Sequence, residues 1–173
     1  GRDLAVQSFD LRGNGRSEGT RGHLSAWEDY REDLARFITL VESDDPGRPL
    51  LLIGNSLGGL IALEYALMHP AGLGGVIAVS APLGALGVPA PLMLLGRMLS
   101  RVWPRFSLET GMDLSGLARD PAVIEQILSD PLFHRRATAR LSTEVTAAIE
   151  RVRKGAAAFA VPLLLLHGSD DRM

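Results

Sequence analysis

The strongest constraint on this chain is one junction in its first third. Residues 49–53 are an unbroken apolar run, Gly54-Asn55-Ser56-Leu57-Gly58 is a turn rich in small residues, and Ile61, Ala62, Tyr65 and Ala66 mark an apolar helix directly behind it. A short apolar run without polar alternation suits a strand covered on both faces, as in a parallel sheet. Strands alternating with helices in this way indicate an α/β fold. The turn has the form G-x-S-x-G. A serine so placed sits on a strained bend that lifts its hydroxyl clear of the backbone. The N–H of the next residue then points from a helix N-terminus at the reacting oxygen. Ser56 is therefore the candidate nucleophile and Leu57 the candidate oxyanion donor. Gly54 and Gly58 are the small neighbours expected where strand and helix approach closely. A glycine-rich turn with an idle serine is the plain alternative.

The remaining pattern extends the same architecture. Residues 4–9 predict a short strand, and residues 10–19 a polar, glycine-rich loop. Ser25-Ala26-Trp27-Glu28 has the form of a capping box. It opens a helix with the stripe Tyr30, Leu34, Phe37, Ile38 and Val41, which ends across residues 44–47. His69-Pro70 stops the helix after Ser56. Residues 76–79 and 161–166 predict further strands. Leu92, Leu95, Leu99 and Val102 form one helical stripe, and Val123, Ile124, Ile127 and Leu128 another. A third helix is expected from residue 143 to about residue 154. About eighty residues separate Val79 from Val161, whereas a strand-helix-strand crossover needs about thirty. The surplus reads as a helical cap over the carboxyl ends of the strands, where such sheets bind ligands. The expected division is core in residues 1–81, cap in 82–158 and core again in 159–173.

Composition narrows the function. The 173 residues carry a net charge of -2, so no basic excess exists to neutralise phosphates, which argues against nucleic acid. Without cysteine there is no disulfide, iron–sulfur cluster or thiolate zinc site. No stretch is long and apolar enough to predict a transmembrane helix. A serine nucleophile needs a base oriented by a carboxylate, in the chain order serine, acid, histidine. The acid placed just past a strand lies in Gly168-Ser169-Asp170-Asp171. The residues alone do not choose between Asp170 and Asp171, and a loop aspartate capping a following helix is the alternative. No histidine follows. His167 ends a strand, His134 lies in the cap, His69 ends a helix and His23 precedes the serine, so each reads as structural or solvent-facing rather than as the base. The base is expected beyond Met173. Both ends of the chain read as cut through a structure, and a signal peptide upstream stays open.

Several stretches together resemble an interior segment of an α/β-hydrolase of the monoacylglycerol lipase and lysophospholipase group, of the serine aminopeptidase S33 type. Residues 10–19 resemble its D-x-R-G-x-G-x-S-x-G loop. Gly54-Asn55-Ser56-Leu57-Gly58-Gly59 resembles its G-H-S-M-G-G turn, with Asn55 and Leu57 as departures. Ser129-Asp130-Pro131-Leu132 with His134 and Arg135 resembles a cap segment, and residues 164–172 resemble the L-L-H-G-S-x-D-R run that carries the acid. The resemblance selects Asp171. It implies a parallel sheet flanked by helices, with an inserted helical cap. A strand between those at residues 4–9 and 49–53, the loop giving the second oxyanion N–H and the catalytic histidine are not in the chain. The 173 residues alone are accordingly expected to fold poorly and turn over negligibly.

The resemblance also implies a serine hydrolase for single-chain lipid esters, monoacylglycerol or lysophospholipid, with no metal or organic cofactor. A general carboxylesterase is one alternative, and an inactive binding module another. Residues 83–102 could line an acyl channel, touch a membrane surface or simply pack the cap on the core. Arg97 and Arg101 could face lipid headgroups or water. The expected location is cytoplasmic, with peripheral membrane association open.

Overall fold

The computed structural model describes residues 4–84, 89–109, 118 and 120–169. Along the chain run α1 (Glu28–Asp44), β1 (Leu50–Asn55), α2 (Leu57–Met68), β2 (Leu73–Val79), α3 (Ala90–Val102), β3 (Ser107–Glu109), α4 (Pro121–Ser129), β4 (Arg136–Thr138), α5 (Ala139–Gly155) and β5 (Leu163–Leu166), with a 3-10 turn at Ala156–Ala158 before β5. The sheet is parallel in the order β1-β2-β5. Ile53 lies beside Ile77, and Ile77 beside Leu164. The pair β3–β4 is a separate antiparallel ribbon. Its three-residue strands carry no alternation that a sequence reading can detect.

Helix α2 packs on β1 and β2, and α5 packs on α2. Leu52, Val76 and Ala78 point into this core with Leu60, Ile61, Leu63, Ala148, Ile149 and Val152. From α1, Tyr30, Leu34 and Ile38 join them as its stripe predicts. One buried charge ties the helices together. Glu64 of α2 accepts hydrogen bonds from the Trp27 indole and from Arg151 Nε of α5 at 2.5 Å, and Arg31 of α1 stands 3.9 Å away. A carboxylate can sit inside a core only when paired and hydrogen-bonded in this way.

Several expectations are corrected. Residues 4–9 form no strand. A strand exists only beside a partner, and none of the described strands pairs with this run. Leu4 and Val6 are exposed, and Phe9 rests on the Phe37 ring at 4.6 Å. The capping box is not made by Ser25 and Glu28. Instead the Asp29 carboxylate accepts the N–H groups of Ser25 and Ala26, at 3.0 and 3.1 Å. Strand β1 is covered on one face rather than two: Leu52 is buried, whereas Leu51 and Ile53 are 50% and 66% exposed. The reason is that α2 covers only the side of Leu52, Val76 and Ala78.

Helices α3 and α4 form where their stripes predict, but the stripes do not turn inward. Ser100 is the one buried residue of α3, and α4 has none. Helix α5 starts earlier than expected, at Ala139, because the Thr138 hydroxyl accepts the N–H of Leu141 and caps it.

Candidate active site

Ser56 stands between the last residue of β1 and the first of α2, with φ 50° and ψ -118°. A left-handed φ in a residue other than glycine is strained, and such strain collects at functional sites. Its backbone is fixed from two sides. The Ser56 N–H donates to the Val79 carbonyl at 2.8 Å, and the Ser56 carbonyl accepts the Leu60 N–H at 3.1 Å. The residue is partly exposed, so the hydroxyl is within reach of a substrate. Leu57 opens α2, and the first N–H groups of a helix have no partner inside it. Together with the helix dipole they favour negative charge beside Ser56.

The glycines divide unequally. A Cβ on Gly54 would lie 2.3 Å from the Gly58 carbonyl oxygen, so position 54 admits only glycine. Gly58 is different: a Cβ there would meet nothing within 4 Å, and the expectation of a steric need at this position is corrected. The second close approach belongs to Gly59, whose Cβ would stand 3.0 Å from that of Ala81 and 3.1 Å from the Gly54 carbonyl oxygen. The Gly58-Gly59 run held the signal for this.

Asp170 and Asp171 lie outside the described residues. Strand β5, which leads to them, borders a mostly apolar recess of about 320 Å³ lined by Ala78, Ala81, Leu83, Leu165, Leu166 and His167. The recess opens at the carboxyl ends of β2 and β5. Among the described residues no group of three or more histidines and carboxylates could hold a metal.

The loop at residues 10–19 is bonded to itself and to α1. The Asp10 carboxylate accepts the Arg16 N–H at 2.8 Å, and the Ser17 hydroxyl donates to the Asp10 carbonyl at 2.6 Å. Arg12 reaches Asp33 with two bonds of 2.6 and 2.7 Å and Asp29 at 3.0 Å. The hydrogen bond to Asp33 raises the Arg12 pKa, against the opposing effect of burial. Behind this loop, burial pushes the Tyr30 phenol up to about 12.

The next stretch of this region docks on β4. His134 Nε2 lies 3.0 Å from the Gly13 carbonyl, the Thr138 N–H donates to the Gly22 carbonyl at 2.9 Å, and His23 Nδ1 lies 3.1 Å from the Thr138 hydroxyl. Burial, helped by Arg105 and Arg140, holds the His23 pKa below its ordinary value. His69 stacks on Tyr65 at 5.0 Å.

Along one row of α3, spaced by four residues, Leu94, Met98 and Val102 are 69%, 55% and 80% exposed. No described helix is long and apolar enough to cross a membrane.

The whole chain, residues 1–173, matches the family described as Hydrolase_4, serine aminopeptidase S33. It is 29% identical to a monoacylglycerol lipase of Mycolicibacterium smegmatis over 98% of this chain and 61% of that protein. It is 32% identical to the human monoglyceride lipase over 100% of this chain and 58% of that protein. Among solved structures, the monoacylglycerol lipase of Paleococcus ferrophilus superposes with a TM-score of 0.84 and 34% identity, over 94% of this chain and 61% of that one. The chain thus spans about three fifths of the length of these relatives.

Proposed function

This chain belongs to the Hydrolase_4, serine aminopeptidase S33 family and has the α/β-hydrolase fold of its monoglyceride-lipase-like members, and from that premise we propose that Ser56 is the nucleophile of a carboxylic ester hydrolase for single-chain lipids. The observation that carries the reading is the left-handed turn at Ser56 between β1 and α2.

The steps follow from the parts. Ser56 Oγ attacks the ester carbonyl carbon, and its proton passes to a histidine that follows Asp171 in chain order and is oriented by it. The Leu57 N–H, at the positive end of α2, bonds the oxyanion. Collapse expels the alcohol, which takes the proton from the histidine. Water, activated by the same histidine, then frees the fatty acid and restores the serine. In this reading the segment between β2 and β5 is the cap. The exposed apolar row of α3 gives it a surface for an acyl chain or a membrane interface. The names of the relatives support monoacylglycerol as substrate, with lysophospholipid in the same class.

The test uses the product of the full reading frame. Wild type should react with a fluorophosphonate probe and hydrolyse glycerol monoesters of long acyl chains, and Ser56→Ala should do neither. Equal labelling of the alanine variant would remove Ser56 from the mechanism. Hydrolysis of short soluble esters alone would replace the lipid substrate by a general carboxylesterase activity.

A further inference from the structure

Among the described residues, Ser56 shares its left-handed backbone with just one other residue that is not glycine. That residue is Ser80, with φ 46°. It follows β2 directly, as Ser56 follows β1, and β1 and β2 are hydrogen-bonded neighbours with Asn55 beside Val79. The two strained residues therefore leave adjacent strands at the same level of the sheet.

Both flanks of Ser80 meet the nucleophile turn. On one side is the peptide group joining Val79 to Ser80, a single planar unit. Its carbonyl accepts the Ser56 N–H at 2.8 Å, and its N–H donates to the Leu166 carbonyl at 2.8 Å. Leu166 ends β5, the strand that leads to Asp171. On the other side is Ala81, which is buried and would touch any Cβ on Gly59 at 3.0 Å. A rung of parallel sheet accounts for the two hydrogen bonds. It does not account for the left-handed residue that immediately follows and turns Ala81 down onto the start of α2.

We propose that Ser80 is a positioning residue for the reaction at Ser56. Its left-handed backbone holds the Val79–Ser80 peptide against the Ser56 N–H and lays Ala81 on Gly59, which fixes the nucleophile relative to the end of β5. The proposal rests on the reading of Ser56 as the nucleophile. What matters at position 80 is then the backbone conformation, not the hydroxyl. Residues should therefore rank by their tolerance of a positive φ: glycine and asparagine accept it, alanine with its single Cβ stands with serine, and a β-branched residue tolerates it least.

The experiment measures fluorophosphonate acylation of Ser56 on the full reading frame, separating the rate at saturating probe from probe affinity, with a thermal melt for each variant. Ser80→Gly and Ser80→Asn should acylate within about threefold of wild type. Ser80→Ala, which keeps the Cβ and loses only the hydroxyl, should also stay near wild type, and Ser80→Val should be about tenfold slower or more, at unchanged probe affinity. If Ser80→Val does not fold, Ser80→Thr, also β-branched, carries the comparison with the glycine and asparagine variants. Equal rates in all folded variants would overturn the proposal. So would a shared fall in Ser80→Gly, Ser80→Asn and Ser80→Ala, because the hydroxyl would then be the active element. An unlabelled wild type would instead overturn the assignment of Ser56, and the role of Ser80 with it.

Discussion

Helices α2 and α3 are of nearly equal length, 12 and 13 residues, and are used in opposite ways. Eight residues of α2 are buried, Glu64 among them, and it packs between the sheet and α5. In α3 the one buried residue is a serine, whose hydroxyl pairs with that of Thr143 in α5 at 2.9 Å, while Leu92, Met93, Leu94, Leu95 and Met98 are exposed. The first arrangement holds a backbone turn still. The second leaves apolar surface available. The proposed hydrolysis of lipid esters would use both, because the attacking oxygen must be placed to a fraction of an ångström while such a substrate is long, apolar and variable.

The largest effect should come from the tip of α2. Ser56→Ala should lower ester hydrolysis by about 10⁴-fold or more while leaving the thermal midpoint nearly unchanged. A residual rate within tenfold of wild type would break the link between this turn and the chemistry. Next comes what steadies α2. Glu64→Ala leaves the Trp27 indole and the Arg151 guanidinium without their shared partner and should destabilise the fold by about 3 kcal/mol. Denaturant titration measures this, and a loss below about 1 kcal/mol would mean that packing alone holds α2.

The same contrast explains what was legible in the sequence. The turn at Ser56 was legible because every part of it is local: an apolar run, two small residues and a helix in immediate succession. The stop of α2 at His69-Pro70 was legible for the same reason. The stripe of α3 told which residues share a face. Periodicity does not say whether that face turns inward, and here it turns out. Residues 4–9 have strand composition, but a strand is a relation between two segments, and composition describes only one. Ser80 left no local trace, since its turn depends on Ser56 and Leu166, which lie far from it in the chain. Glu64 did leave one, as the single charge in Leu60-Ile61-Ala62-Leu63-Glu64-Tyr65-Ala66, a position where burial requires a partner.

A sharper form of the comparison replaces Leu94 and Met98 of α3 by serine. Both are exposed, so stability should change by no more than about 0.5 kcal/mol. Binding to phosphatidylcholine vesicles and hydrolysis of vesicle-borne monoacylglycerol should fall severalfold, with hydrolysis of a short soluble ester unchanged. A large loss of stability would show that this face packs against protein after all.

The smallest expected effect lies where the two regions are joined. His23, in the region of the glycine-rich loop, meets the hydroxyl of Thr138, which also caps α5. Arg105 and Arg140 add positive charge around it, and Asp29 opposes them. Its pKa is lowered in the folded state, so the unfolded chain binds the proton more readily. Stability from keeping His23 neutral is therefore fully present above the ordinary value of 6.5, and is lost as the pH falls from there through the lowered folded value. The partial exposure of the ring keeps the effect small. Denaturant titrations at pH 7.5 and pH 5 should show a steeper loss in wild type than in His23→Asn, which keeps a polar partner for Thr138 and cannot titrate. Parallel losses in the two proteins would mean that the joint does not sense the charge on His23. The joint would then be held by its other bonds, those accepted by the Gly13 and Gly22 carbonyls among them.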